Sequence, residues 1–403
     1  MLNIDDPKVI DRTPALLRLA FRPFFLLAAV WACIAIPLWL LAWYHPEFSP
    51  FAQKFWSNVV PLWWHPHEML FGFAMAVVAG FLLTASQNWT NQPGIKGGQL
   101  GLVVGLWAMA RLTLMLPWDL PIWLPASFDC AFLLAVAVKL TVVMLKVRQW
   151  RNMVFPVLLF VAAAINLLSY WTLANHNLSL SLQIWQAMIW WLALIITVMG
   201  GRVIPFFTAA RLKLTKREPI TWIEWTTPSL LALMLVNSLV PFLPYVAKVI
   251  VLTVAGVLQL VRLARWYPLK TVKIPLLWSL HLGYLFLPIS LLAMAYYANN
   301  PLLERQLLHL FAIGTMAGVC LSMISRVSLG HTGRNIYQGP NMAPAFLMLA
   351  VAAIVRTILP LEQPADSYTW HWLAAALWCG AFGMFVWHYT KILARPRLDG
   401  RPG

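Results

Sequence analysis

Residues 61–86 read PLWWHPHEMLFGFAMAVVAGFLLTAS. Two histidines and a glutamate, His65, His67 and Glu68, stand at the start of an apolar run. A run of about 20 apolar residues is long enough to cross a bilayer as a helix. Ionisable side chains within such a run are costly and usually face the interior of a helix bundle. The stretch therefore indicates a membrane protein with a polar site at one end of a span.

The composition of the whole chain favours the same class. Of its 403 residues, 61% are hydrophobic and only 10% are charged, whereas a soluble domain is about a quarter charged. Tryptophan, which is enriched at membrane–water interfaces, occurs 23 times. We therefore expect a polytopic protein that is embedded in the lipid bilayer.

The apolar runs predict an all-α fold with about twelve transmembrane helices. No loop is long enough to hold a further domain, so residues 1–403 are interpreted as a single integral membrane domain. It would be flanked by a cytoplasmic N-terminal segment, 1–22, and a cytoplasmic tail, 391–403. The runs lie near 24–44, 67–86, 99–117, 123–145, 154–174, 182–200, 227–243, 245–264, 275–297, 306–325, 343–360 and 368–390.

The basic residues indicate which loops face the cytoplasm. If the runs alternate in direction, 23 of the 29 lysines and arginines fall in one class of loops and three in the other. Cytoplasmic loops carry the excess of Lys and Arg, which predicts that both termini are cytoplasmic and that loops 45–66 and 298–305 are external. The net charge of +16 is thus a signal of topology, and we expect no binding to nucleic acid.

Charged residues inside the runs have a structural and a functional interpretation. Arg111 and Asp129 lie at similar depth on either side of a short hairpin, where an ion pair is the simpler explanation. An anion site at Arg111 or Arg356 is the alternative. Arg202 follows two glycines in GGRVIPFFT, 200–208, where an unwound helix end would turn its guanidinium toward a bound anion.

Five histidines, His65, His67, His281, His309 and His331, lie at or near membrane spans. A lone histidine in a membrane is often only a hydrogen-bond partner between helices. Five of them, several beside Glu or Arg, favour metal or haem binding, because neutral imidazole ligates copper and iron and serves haem as an axial ligand.

Together these stretches resemble the NnrS family of bacterial membrane proteins. The resemblance implies a haem- and copper-containing protein of the inner membrane that accompanies denitrification and protects against nitric oxide stress. It does not imply a settled reaction, so catalysis stays open. The motifs that carry it are RLAFRPFFLLA (18–28), WHPHEMLFGFAMAVVAGFLLTASQNWT (64–90), RN (151–152), GGRVIPFFT (200–208), LHLGY (280–284), HLFAIGTM (309–316) and SRVSLGHTGR (325–334).

With haem and copper implied, depth along the spans assigns the histidines to two sites. His281 and His309 differ in depth by roughly 15 Å in an apolar core of about 30 Å, so one haem iron does not bind both. We predict that His281 and His331 are the axial ligands of haem b, brought together by a fold-back of the chain at Gly330. Its propionates would meet three arginines, Arg202, Arg326 and Arg334, because guanidinium binds carboxylates bidentately.

The second predicted site is a copper centre on the external side. Proline is tolerated in the first turn of a helix and pushes the residue before it into extended backbone. His65 would then approach from the loop and His67 from the helix, with His309 as the third imidazole. Glu68 would ligate the copper or orient one of its ligands. Such a site would be open to nitric oxide or a related small diatomic ligand. The opposite assignment, with haem outside and copper inside, stays open.

Two other classes of function fit the same features. Twelve spans with broken helix ends and intramembrane arginines are also typical of a secondary transporter, which would bind a small anionic solute at Arg111, Arg356 or Arg202. A metal- or haem-handling membrane protein would hold its cofactor only transiently. The residues do not indicate the oligomeric state.

Overall fold

A computed structural model of the chain describes residues 12–48, 60–115 and 120–401. Four predictions fall partly outside these residues: the N-terminal segment, the loop 45–66, the end of the third apolar run and the last two residues of the tail, 391–403. The structure is 82% helical, and the described residues contain no strand. The predicted all-α class is confirmed.

Twelve long helices, α1 to α12, account for most of the described chain. The predicted runs correspond to them one for one, with the largest difference at α6, which extends about twelve residues beyond the run. The helices are α1 Phe21–Tyr44, α2 Pro61–Thr90, α3 Gly97–Met115, α4 Trp123–Lys146, α5 Val154–Ala174, α6 Leu178–Leu212, α7 Thr221–Leu239, α8 Tyr245–Arg265, α9 Pro275–Tyr296, α10 Pro301–His331, α11 Ala343–Thr357 and α12 Ser367–Ala394.

Eleven helical segments of the described chain are long and apolar enough to cross a membrane, with α11 counted together with the short helix that continues it to Glu362. The exception is α7, which has 19 residues but carries Glu224 and several threonines in its first half. The chain is therefore a multi-pass membrane protein, as the apolar runs predict.

Two helices, α2 and α10, contain a π-helical segment that begins directly after a histidine. In α2, residues Glu68–Ala74 are π-helical after His67. In α10, residues Leu310–Ala317 are π-helical after His309. Such wide turns are rare in proteins, and those that occur are frequently found at functional sites. Both π-helical segments therefore mark the histidine motifs as candidate functional sites.

The start of α2 differs from the prediction. The helix begins at Pro61 and continues through His65 and Pro66, so His65 is helical rather than extended. Pro61 takes the first helical position, where its missing N–H does not matter. Pro66 lacks the N–H that would bond the preceding turn, and the π segment follows within two residues.

The glycines that were expected to break helices serve close packing instead. Helix α6 continues unbroken through Gly200, Gly201 and Pro205, so the predicted unwinding is wrong. A side chain at Gly200 would lie 2.8 Å from the ring of Tyr284, and one at Gly201 would collide with the guanidinium of Arg262. Both positions therefore require glycine because a neighbouring helix approaches there.

The predicted fold-back at Gly330 is likewise absent. Helix α10 passes through Gly330 and ends at His331. The residue with left-handed backbone is Gly333, at φ +72°, a conformation that glycine adopts without steric cost. The chain therefore turns two residues after His331.

The chain divides into two compact units. Unit 1 comprises residues 1–182, 326–339 and 385–403, and unit 2 comprises residues 183–325 and 340–384. In unit 1, α1 packs on α2, and α4 packs on both α3 and α5. In unit 2, α8 packs on α7 and α9, and the π segment of α10 packs on α9 and α11. Each unit has its own buried aromatic core, with Trp63 and Trp64 in unit 1 and Trp190 and Trp191 in unit 2.

The contact between α9 and α10 generates a stability prediction. A Cβ atom at Gly283 would lie 3.0 Å from the backbone nitrogen of Val319 and 3.1 Å from the carbonyl carbon of Gly318. Because backbone atoms cannot move aside alone, Gly283→Ala should separate the two helices and lower the free energy of unfolding by about 1–3 kcal/mol. Thermal unfolding in one detergent measures the effect.

Gly105→Ala is the matched control, since a Cβ there meets no atom within 4 Å. Alanine favours a helix over glycine by up to about 1 kcal/mol, so the control should unfold at an unchanged or higher temperature. Equal unfolding temperatures for the two variants would contradict the close approach of α9 and α10.

Candidate functional site

Four ionisable side chains form a closed network in the interior of unit 1. Nε of Arg111 lies 2.8 Å from Oε2 of Glu68, and its Nη2 lies 2.7 Å from Oδ1 of Asp129. The ring of His67 joins the same two carboxylates, with Nδ1 2.8 Å from Glu68 and Nε2 3.1 Å from Asp129. All four side chains are at most 2% exposed. We call these residues the ion quartet.

Helix α5 completes the surroundings of the ion quartet. The amide nitrogen of Asn166 donates to Asp129 over 3.0 Å, and the hydroxyl of Tyr170 donates to the same carboxylate over 3.3 Å. The carbonyl oxygen of Asn166 faces Nε2 of His67 at 3.1 Å. The ring of Trp63 stacks on His67 with centroids 4.4 Å apart. Side chains of α2, α3, α4 and α5 thus converge on one polar centre.

The ion pair that the sequence predicts between Arg111 and Asp129 is confirmed. Its union with His67 and Glu68 was not predicted, although all four residues lie near the same ends of their spans. Sequence depth places the residues at one level, but it does not indicate which faces of α2, α3 and α4 meet. For the same reason, the contributions of Asn166 and Tyr170 were not predicted from the sequence.

The ion quartet limits what His67 can do. Both ring nitrogens face only oxygen acceptors, so a doubly protonated ring satisfies both. Two carboxylates, one guanidinium and one imidazolium also cancel in charge, which reduces the cost of burial. A metal ligand needs a free lone pair on nitrogen, and His67 offers none in this arrangement. The predicted copper site therefore does not fit His67 and Glu68 as they stand.

The other two histidines of that predicted site have different surroundings. The ring of His65 stacks on Trp39 in unit 1, with centroids 4.3 Å apart. His309 belongs to unit 2, where Nη2 of Arg356 lies 3.3 Å from its Nε2 and its Nδ1 lies 3.3 Å from the carbonyl of Gln306. In the part of the chain that the structure describes, no three His, Cys, Asp or Glu side chains are arranged to hold a metal ion.

His281, in unit 2, lies between two backbone carbonyls and contacts no carboxylate. Its side chain is 4% exposed, and its Nδ1 lies 3.0 Å from the carbonyl oxygen of Leu277, one turn earlier in α9. A proton on Nδ1 that is donated to a backbone carbonyl fixes the tautomer and leaves the lone pair on Nε2. That nitrogen lies 3.3 Å from the carbonyl of Trp266, which a ligand would displace.

A second buried polar network lies beside His281. Trp266 packs edge-on against Tyr284, with centroids 4.7 Å apart. The hydroxyl of Tyr284 accepts from Nη1 of Arg262 over 2.5 Å and donates to the amide oxygen of Gln259. Arg262 is held in turn by Glu224, 2.7 Å from its Nη2. This network was not predicted, although the sequence holds two signals for it: the glycine pair that makes room for Arg262 and the motif LHLGY, 280–284, that ends at Tyr284.

The remaining predicted haem residues fall in both units. In unit 1, the ring of His331 packs against Phe21 at 5.5 Å, and Nη2 of Arg326 lies 3.3 Å from the hydroxyl of Tyr337. Nη1 of Arg334 donates to the carbonyl of Thr332 over 3.4 Å. Arg202 is half-buried in α6 of unit 2. Their assignment to one haem stays a prediction.

The family described as NnrS protein matches residues 15–397 of the chain. The match extends over the helices of both units and over the ion quartet, His281 and His331. A search of the curated proteins finds no match.

The ion quartet generates a prediction about stability. Arg111→Met removes the only guanidinium of the network and leaves Glu68 and Asp129 with His67 alone. Removal of one partner from a buried ion pair costs about 3–5 kcal/mol. We expect a correspondingly large drop in the thermal unfolding temperature of the purified protein.

Two further variants make that measurement specific. Lys146→Met, at the exposed end of α4, should have almost no effect because exposed charges contribute little. Arg111→Met combined with Asp129→Asn should be less destabilised than the sum of the single variants, since contacting residues are energetically coupled. Strict additivity would show that the ion pair does not form.

Proposed function

Because the chain belongs to the NnrS family, we propose that it is a haem b- and copper-binding protein of the bacterial inner membrane that acts in denitrification and in defence against nitrosative stress. Membership alone makes it a membrane protein associated with the nitric oxide response. The proposal adds the cofactors, the membrane and a direct interaction with nitric oxide or a related diatomic ligand.

The observation that carries the haem proposal is the environment of His281. Its Nδ1 is engaged by the carbonyl of Leu277, the orientation typical of histidines that bind a metal through Nε2. The side chain is only 4% exposed, so little water reaches it. His281 is therefore the residue that we propose as an axial ligand.

A haem group held at this site by His281 would supply redox chemistry, and it could also bind a diatomic molecule if His331 is not its second axial ligand. The residues of the chain would have other tasks. Leu277 would hold the ring of His281 in one orientation through its carbonyl. Arg262, fixed by Glu224 and Tyr284, would place a permanent positive charge beside Trp266, whose ring lies 5.3 Å from the guanidinium carbon.

The copper proposal rests on family membership alone. His67 and Glu68 are engaged within the ion quartet, so we do not assign them as ligands. His65 and His309 remain predicted candidates. In this proposal the ion quartet holds helices of unit 1 together and takes no part in binding copper.

The transporter alternative loses two of its supports. Arg111, which would have bound an anionic solute, is already paired with two carboxylates. The helix end at residues 200–208, which would have unwound, is continuous. The haem-handling alternative differs from our proposal in how tightly haem is held, so haem stoichiometry distinguishes the two.

The ends of the helical chain support the predicted topology. Nη1 of Arg22, in the first turn of α1, donates to the carbonyls of Leu393 and Arg395 at the end of α12 over 2.7 and 2.8 Å. Helix ends that meet in this way favour an even number of crossings, which would require α7 to cross the membrane together with the eleven more apolar segments. Together with the positive-inside rule, this supports our proposal that both termini are cytoplasmic.

The haem proposal predicts that His281→Ala loses haem. Wild-type protein, purified without added haem, should contain at least about one haem b per chain, and this ratio should be the same in each preparation. The absorbance of the pyridine haemochrome measures it. His281→Ala should contain less than about a tenth of that amount, because ligands and their supporting groups change metal affinity by about 10–100-fold.

The control replaces a histidine that no proposal uses. His176 is exposed and has a positive φ of 53°, which asparagine tolerates, so His176→Asn should retain the wild-type haem content. Full haem content in folded His281→Ala would exclude this ligand. A wild-type protein that loses its haem during purification would instead favour the haem-handling alternative.

The arrangement of His67 predicts the behaviour of copper. If the purified protein contains copper, His67→Gln should retain the wild-type amount per folded chain while the thermal unfolding temperature falls. Elemental analysis after gel filtration measures the copper. A specific loss of copper in His67→Gln, with an unchanged unfolding temperature, would show that His67 is a ligand after all.

A further inference from the structure

Five arginines converge at one end of unit 1. Two of them, Arg18 and Arg22, lie around the start of α1, and Arg334 follows the end of α10. The other two, Arg395 and Arg397, follow the end of α12. We call these five residues the basic cluster.

Backbone contacts hold the three segments together. Nη1 of Arg22 binds the carbonyl of Arg395 over 2.8 Å, and Nη1 of Arg397 binds the carbonyl of His331 over 3.0 Å. The amide of Leu398 donates to the carbonyl of Thr332 over 3.3 Å. The C-terminal segment is thus docked on the turn that follows α10, and the basic cluster is a folded feature of unit 1.

One carboxylate shares this end of unit 1. Asp399 pairs with Arg397, with Oδ2 2.5 Å from Nη2, and the hydrogen bond from Arg397 holds the pKa of Asp399 well below its usual range. The carboxyl carbon lies 2.8 Å from the position that a Cβ at Gly333 would occupy. Asp399 therefore stays ionised and neutralises one of the five guanidinium groups.

The remaining positive charge is concentrated. Arg18 precedes Arg22 by four residues, Arg22 binds the carbonyl of Arg395, and Arg397 binds the carbonyl of His331, three residues before Arg334. Among the described residues, no carboxylate forms an ion pair with Arg18, Arg334 or Arg395. Like charges at such proximity repel each other, and a bound anion would remove the repulsion.

Neutralisation of helix ends explains only part of the basic cluster. Cations near a helix C-terminus interact favourably with its carbonyls, and Arg22 and Arg397 bind such carbonyls. Arg18 binds only the carbonyl of Thr13 through Nε, and Arg334 binds Thr332 through Nη1. Both keep further N–H groups available, and Arg395 is exposed.

We infer that the basic cluster binds the phosphate of an anionic phospholipid headgroup. Guanidinium groups bind phosphate oxygens bidentately. The cluster lies where α1, α10 and α12 begin or end, at the level where a spanning helix leaves the apolar core. Basic pockets between spans on the cytoplasmic side recognise anionic headgroups. The inference goes beyond the proposed function and does not require haem or copper.

Native mass spectrometry of the detergent-solubilised full chain, titrated with phosphatidylglycerol or phosphatidylcholine, tests the inference. The wild-type protein should bind phosphatidylglycerol at least tenfold more tightly than it binds phosphatidylcholine. Arg18→Gln, Arg334→Gln and Arg395→Gln in one chain should reduce that affinity by at least tenfold, because each cation near an anionic headgroup contributes about fivefold. Added salt should weaken the wild-type binding, since it screens exposed charges.

The matched control carries the same change in net charge at exposed loop lysines of unit 2, as Lys216→Gln, Lys270→Gln and Lys273→Gln. It should bind phosphatidylglycerol within about twofold of the wild-type affinity. An equal loss of phosphatidylglycerol affinity in both triple variants would show a non-specific effect of net charge and would overturn the inference. The lipid affinities of the two triple variants are compared only if the variants unfold at the same temperature. Each arginine is also replaced singly, so that lipid binding can still be measured if the triple variant fails to fold.

Three other results would identify a different occupant and overturn the inference. Displacement of the lipid by millimolar inorganic phosphate would identify a free-phosphate site. Binding of phosphatidylglycerol only after haem extraction would assign the arginines to haem propionates. Binding only in Asp5→Asn, Asp6→Asn protein would show that the acidic N-terminal residues occupy the site.

Discussion

The cost of placing charge inside a membrane protein governs the arrangement of unit 1. A buried ion is tolerated when an opposite charge lies beside it, and every charge of the ion quartet has such a neighbour within 3.1 Å. Arg111 is placed between Glu68 and Asp129, and His67 closes the ring. Since each residue comes from a defined position in α2, α3 or α4, rotation of any one helix would leave a charge without its partner. The network therefore specifies how these helices face each other.

Unit 2 follows the same rule with a different consequence for glycine. Arg262 is buried and paired with Glu224, and its guanidinium lies where any side chain at residue 201 would be. Gly200 gives the same clearance to the ring of Tyr284. The glycine pair in α6 is thus a consequence of the buried arginine and tyrosine on α8 and α9, and not a site of helix breaking.

The features that depend on one helix at a time were predictable from the sequence. Length and apolar composition located the twelve helices, and similar depth in adjacent spans indicated the pair of Arg111 and Asp129. The features that depend on which helix faces meet were not predictable. The contact of Glu68 with that pair depends on the rotation of α2, and the roles of Gly200 and Gly201 depend on which side chains of the neighbouring helices lie against them. A glycine has the same freedom in a hinge and in a tight helix contact, so its role is decided by what packs against it.

The contrast between His67 and His281 shows why a histidine in a membrane span is ambiguous in sequence. Both are buried, and the ring nitrogens of both face oxygen acceptors, three at His67 and two at His281. At His67 the acceptors include two carboxylates, whose charge favours a proton on each ring nitrogen and so removes the lone pair that a metal needs. At His281 the acceptors are neutral backbone carbonyls, which favour one proton on Nδ1 and leave Nε2 to compete for a ligand. The charge of the hydrogen-bond partner, and not the burial of the imidazole, therefore separates a residue that stabilises an ion network from one that is suited to bind haem.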